Sequence, residues 1–238
     1  MRKIFYNGIF FIALLFLSFS VSAQDDDILS KLQSAVDPKG ILASSKTKIS
    51  SGTVEIPILK IKAEVISYYK KPDKYRIDTI LEDGTREIRS YDGEKAFKWN
   101  SNENTIKEIE GSDKKAIILS AYLQNPDMQF WNKEIFSFVE EKDLKVSCTL
   151  KKEFGFDLPV CLYIDRNTFL ISQMDMPTVI MGNELNHKIT IKSYRKKGNY
   201  LVAENVSSSI LGAEMNYHLT NISLNEDIED SFFTEIDK

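Results

Sequence analysis

Between residues 51 and 99, apolar and polar side chains alternate with a period of two, and Pro72, Gly84 and Gly93 cut the alternation into pieces. A period of two puts successive side chains on opposite faces of a strand, so the segment reads as antiparallel strands with one face turned inward. Val54, Ile56 and Ile58 are apolar at even positions, whereas Leu59, Ile61, Ala63 and Val65 are apolar at odd ones. The phase therefore flips near Pro57 to Leu59. A flip marks a bulge or a break, because one residue of slip sends every side chain to the other face. Tyr75, Ile77 and Leu81 share the next apolar face, with Lys74, Arg76 and Asp78 opposite. Asp83-Gly84 and Asp92-Gly93 are hairpin signals, and strands at 94–99 and 104–109 follow.

Further strands are expected at 144–152, 158–165, 168–175, 186–195, 199–209 and 213–224, with Asp165-Arg166-Asn167-Thr168 and Lys197-Gly198-Asn199 as turns. Two segments break the strand pattern. Ile28, Leu29, Leu32 and Val36 repeat at helical spacing until Asp37-Pro38-Lys39-Gly40 ends the helix. Residues 113–125 are apolar on nearly every side from Ala116 to Leu123; a helix of that kind is buried or covers something apolar. Residues 127–142, with Phe130, Trp131, Phe136 and Phe138, read as an aromatic-rich loop or a partly helical connection. Phe232 and Phe233 are expected to pack the tail back onto the body. The total is about eleven or twelve strands with two or three helices, and a sheet that large must curl, split or close.

Arg2 and Lys3, an apolar run from Ile4 to Phe19 and the small-residue site Val21-Ser22-Ala23 have the order of a cleaved secretory signal. The expected division is a signal peptide at 1–23 and a single domain at 24–238, resident in the envelope. Removing Arg2 and Lys3 leaves 29 of the 31 basic residues against 35 acids, a net charge of −6. No basic stripe offsets phosphate repulsion, which argues against nucleic acid. Cys148 and Cys161 sit symmetrically about Phe154-Gly155. If 144–152 pairs with 158–165 around that turn, the two cysteines face each other at about 4.5–5.5 Å between Cβ atoms, near disulfide reach. In an oxidising compartment a structural disulfide is then expected.

Chemistry-bearing constellations are scarce. His187 and His218 lie inside expected strands and read as strand-surface residues, without the three or four converging donors a metal needs. There is no Gly-x-Ser-x-Gly elbow and no phosphate-binding glycine loop, so no catalytic, cofactor or metal residues are assigned and the chain is read as a non-enzyme. What remains is apolar surface. Few helices are available to cover a wide sheet, so either an apolar cavity persists or the side chains fill a tight sandwich. In a cavity, each buried acyl methylene contributes about 0.8 kcal/mol.

The order Gly52-Thr53-Val54-Glu55-Ile56-Pro57, Lys71-Pro72-Asp73-Lys74-Tyr75-Arg76-Ile77-Asp78, Asp83-Gly84 and Tyr91-Asp92-Gly93-Glu94-Lys95-Ala96-Phe97, with the later run from Leu162 to Ile171, resembles the outer-membrane lipoprotein-sorting proteins of the LolA/LolB-like superfamily. The resemblance implies one curved antiparallel sheet of about eleven strands, an incomplete barrel whose concave face is plugged by short helices. It also implies a monomeric periplasmic carrier in a Gram-negative envelope, binding acyl chains of lipoproteins or lipids, with membrane proteins as donor and acceptor. The alternative is a non-transporting envelope protein that senses lipid or binds a protein partner with the same fold. In the carrier reading the helix at 114–124 is a lid. Lid and cavity candidates are Ile117, Ile118, Ala121 and Tyr122 on that helix, and Val65, Tyr75, Ile77, Phe97 and Trp99 on the strands. Family carriers hold the lid with a strand arginine; Arg76 lies in the matching segment, but no arginine here is matched to that role.

Overall fold

The computed structural model describes residues 28–124, 136–141, 145–150, 160–180, 183–210 and 212–235. The expected signal segment, Phe130 and Trp131 lie outside these residues. Among the described residues thirteen strands form one antiparallel sheet. The first meander is β1 (Thr47–Ile56), β2 (Ile61–Lys70), β3 (Lys74–Leu81), β4 (Arg86–Tyr91), β5 (Ala96–Asn100) and β6 (Thr105–Ile109). The second is β7 (Phe136–Glu141), β8 (Lys145–Leu150), β9 (Val160–Ile164), β10 (Ile171–Ile180), β11 (Asn183–Lys197), β12 (Tyr200–Ile210) and β13 (Ala213–Leu224). Pairing of β1 with β13 joins the meanders. β6 and β7 are the two outer strands of the order, so the sheet stays open.

The phase flip has a simple cause. Pro57–Leu59 is a 3₁₀ turn closed by Lys60 at φ 51°, and the chain reverses there, pairing Ile56 with Ile61. It is a break rather than a bulge. The strand beyond the expected eleven or twelve is β7, in the aromatic-rich stretch that reads as a loop or a partly helical connection; Phe136 and Phe138 stand at alternate positions of it.

Among the described residues three α-helices accompany the sheet: α1 (Ile28–Val36), α2 (Ile41–Ser44) and α3 (Gly111–Gln124). Ile28, Leu32 and Val36 are buried along one face of α1, which lies against β12. Between α1 and α2, the buried Asp37 carboxylate accepts the backbone N–H groups of Ile41 and Leu42 at 2.9 and 2.8 Å, supplying partners that the start of a helix lacks. α3 touches β3 and β4 on one side and β10 on the other. On a flat sheet the six strand steps from β3 to β10 would cover roughly 29 Å at 4.8 Å each. A fourteen-residue helix is roughly 21 Å long. The sheet therefore curves around α3, and one continuous apolar core runs from Ile109 on β6 to Val160 on β9, taking in α1, α2 and α3.

The opposite, outer face carries the C-terminal tail. Phe233 is fully buried there and Ser90 Oγ donates to its carbonyl at 2.6 Å. Arg76, also buried, donates to the Phe232 carbonyl at 2.9 Å, lies 4.0 Å from the centre of the Phe232 ring and pairs with Asp78 at 2.8 Å. Lys70 and Lys74 each reach Asp230 at 2.7 Å. The two tail aromatics thus pack back as their sequence implied. Arg76 faces away from α3 and does not hold it.

Candidate functional site beneath α3

From Ala116 to Tyr122, α3 is apolar on nearly every side. Ala116, Ile117, Leu119, Ala121 and Tyr122 are buried, and Ile118 packs against the same core. Ser120, buried among them, donates its hydroxyl to the Ala116 carbonyl of its own helix at 2.8 Å, so it asks nothing of the sheet. Asp113 in the first turn complements the helix dipole. At the other end Tyr122 sits near Asp73 and Tyr91, at the rim made by the β2–β3 and β4–β5 turns. The two turns are in close contact: a Cβ on Gly93, whose φ is 100°, would lie 2.9 Å from Asp73 Oδ1. Tyr69 donates to the Pro72 carbonyl at 2.5 Å and Tyr91 to that of Gly93 at 2.7 Å. Burial raises the pKa of Tyr122, Tyr91 and Asp73, and the Asp73 charge adds to the rise in the two tyrosines.

The wall opposite α3 is the inner face of the sheet. Cross-strand register lines up Lys48, Tyr69, Tyr75 and Tyr91 in one row over β1 to β4, and Ser50 and Ser67 in the next. Val65, Tyr75 and Ile77 are buried in the core that includes Ile117, Ala121 and Tyr122, so the structure brings these candidates together. Phe97 and Trp99 stand apart. Register pairs Phe97 with Ser90 and Trp99 with Ile88, placing both on the outer face, where Trp99, Ile88 and Phe97 form a separate cluster. Their strand alternation was legible, but not which face it turned inward.

Two further expectations are corrected. β8 does pair with β9, but in a register that sets Ser147 opposite Cys161 and Cys148 opposite Val160. This is one residue away from the register a Cys148–Cys161 bridge needs, and one residue exchanges the faces of a strand; Cys161 is a buried thiol outside any disulfide. His187 is not a surface residue: it is fully buried, opposite Met176 on the inner face, and burial lowers its pKa to about 3. His218 is exposed, with Nδ1 2.7 Å from Asn205 Oδ1. Among the described residues no group of three or more His, Cys, Asp or Glu side chains is placed to hold a metal ion, and no helix is long and apolar enough to cross a membrane.

Sequence reasoning missed the polar members of the inner wall. Lys48 and Ser50 continue the even phase of Val54 and Ile56 backward along β1, and both are buried. Reading that phase three steps back from Val54 would have found them. Gly52, between Ser50 and Val54, takes the ring of Tyr217 where a side chain would stand: a Cβ there would lie 2.1 Å from Tyr217 Oη. Clefts of about 330 and 340 Å³ open on the outer face, beside Tyr68 and Phe232 and beside Thr53 and Ile80. On the inner face α1 lies against β12 and α3 against β3, β4 and β10.

An open, curved antiparallel sheet wrapped around an apolar helix is the LolA-like fold, and solved structures share it. The chain superimposes on a DUF1329 family protein from Desulfovibrio piger with a TM-score of 0.56 at 15% identity, covering 88% of this chain and 98% of that one. A LolA superfamily protein from Nitrosomonas europaea matches with a TM-score of 0.56 at 11% identity, over 90% and 99% of the two chains. A domain from Vibrio parahaemolyticus provisionally assigned as an outer membrane lipoprotein-sorting protein matches with a TM-score of 0.55 at 11% identity, over 87% and 94%. No protein-family model matches the sequence, and a search of curated proteins finds no relative.

Proposed function

We propose that this protein is a periplasmic carrier that takes acyl chains of lipoproteins or lipids onto the inner face of its sheet, displacing α3. The observation that carries the reading is α3 itself: apolar on nearly every side and seated on the concave face of a sheet that is open at both edges. Such a helix can be exchanged for another apolar body without breaking strand pairing. Two structural neighbours are described as a LolA superfamily protein and a lipoprotein-sorting domain, which supports the same reading. The protein acts as a monomer and without catalysis: its work is to keep hydrocarbon out of water, at about 0.8 kcal/mol per methylene.

The test is displacement of an apolar fluorescent probe from the purified protein by a long-chain fatty acid and by a diacylated lipopeptide. Saturable binding of the probe and competition by both ligands are expected. A protein that binds neither probe nor ligand would end the carrier reading.

A further inference from the structure

Several polar groups on the inner wall are placed where apolar packing alone gives no reason for them. Tyr75 is fully buried, and its hydroxyl has no hydrogen-bond partner among the described residues; the same holds for the hydroxyls of Ser50 and Ser208. A buried polar group left unsatisfied costs about 1–3 kcal/mol, and native proteins retain such groups where something else engages them. Two of the three, Tyr75 and Ser50, are linked through Tyr217. Tyr75 lies within electrostatic reach of Tyr217, whose hydroxyl sits over Gly52. Ser50 is the next residue along that face of β1. Ser208 stands apart: it pairs with Met215 on β13, which lies beyond the Glu55–Asn216 pair and so at the other end of β1 from Ser50. Lys48, buried and two residues from Ser50 on the same side, adds an amine to one end of the group.

Nearly everything around these donors is hydrocarbon: Val54, Val65, Ile77, Val206 and Met215 belong to the same core. A ligand suited to this wall has a long apolar body and a hydrogen-bond acceptor within it. We infer that the hydroxyls of Tyr75 and Ser50 form a recognition site for the acyl carbonyl oxygen, whether of an ester or of a fatty-acid carboxylate, exposed to the ligand when α3 leaves. The inference rests on the carrier reading and deepens it: the inner face selects acyl compounds over other hydrocarbon chains.

The experiment compares three ligands of one chain length: a fatty acid, its methyl ester, and the matching alkyl methyl ether, which lacks the carbonyl. Each displaces the probe from wild type, Tyr75→Phe and Ser50→Ala. Wild type should bind the ester roughly five- to tenfold more tightly than the ether, the equivalent of one hydrogen bond. Tyr75→Phe should bring that ratio close to one with ether affinity unchanged, and should melt no lower than wild type, since it removes a group without a partner. The fatty-acid arm separates the two sources of the carbonyl. Preference for the acid over the ester assigns the site to a carboxylate beside Lys48, and preference for the ester assigns it to a lipid ester. Equal binding of ester and ether by wild type, or a preference that survives both substitutions, would overturn the inference while leaving the carrier reading intact. No binding of any of the three would remove both.

Discussion

Truncating Ile117 should loosen the lid and tighten the grip on acyl ligand together. Ile117 is fully buried between α3 and the sheet, and Ile117→Ala removes three carbons. At about 0.8 kcal/mol per methylene this is a loss of about 2.4 kcal/mol, and residual cavity brings the usual range to about 2–5 kcal/mol. If ligand and α3 compete for one face, weakening α3 makes it easier to displace. The lower figure corresponds to roughly a fiftyfold gain in affinity, up to the point where the lid is already open. Probe displacement measures the gain. Hydrogen exchange measures its source, because amides of α3 should exchange faster while those of β2, β3 and β12 keep their protection. The reasoning fails if the variant binds ligand no better than wild type, or if helix and sheet lose protection together. Either result would make α3 an ordinary core element.

Gly52→Ala should destabilise the sheet by about 1–3 kcal/mol, the usual range for an overfilled core, because the new methyl would meet both Tyr217 Oη at 2.1 Å and the His218 carbonyl at 2.4 Å; an unchanged denaturation midpoint would contradict the contact. The tail should respond to acid. Hydrogen bonds from Lys70 and then Lys74 lower the pKa of Asp230 from 3.8 to about 2. A carboxylate held low in the folded state gives its stabilisation above its ordinary value and loses it as pH falls through the lowered one. Attachment of residues 230–233 should therefore weaken as pH falls from about 4 to about 2 and be insensitive near neutrality. Amide chemical shifts of Phe232 and Phe233 would report this, and the same acid transition in Asp230→Asn would exclude Asp230 as its cause.

Much of the architecture was legible because it is local. The two-residue period of 61–70 and 74–81, the Asp-Gly turns and the apolar run of α3 are properties of neighbouring residues, and each element lies where that pattern put it. β7 was missed because aromatic clustering over 127–142 hid a six-residue strand among residues of no fixed period. The Cys148–Cys161 bridge was wrongly expected for a different reason. The hairpin partners were right, yet a register shift of one residue leaves the pattern of either strand unchanged while exchanging the faces between them.

By itself the sequence determined that this chain builds a wide antiparallel sheet with too little helix to cover it evenly. Alternation dictates strands, and an all-apolar helix dictates burial, whatever the topology. Only the tertiary structure decided which face became the inside. It sent Trp99 and Phe97 out, brought Lys48, Ser50 and His187 in, and turned Arg76 toward the tail instead of the helix. A strand's two faces are equivalent until a distant element packs on one of them. Here that choice depends on β1 meeting β13 across more than 150 residues and on α3 lying against both halves of the curved sheet, contacts that no local period encodes.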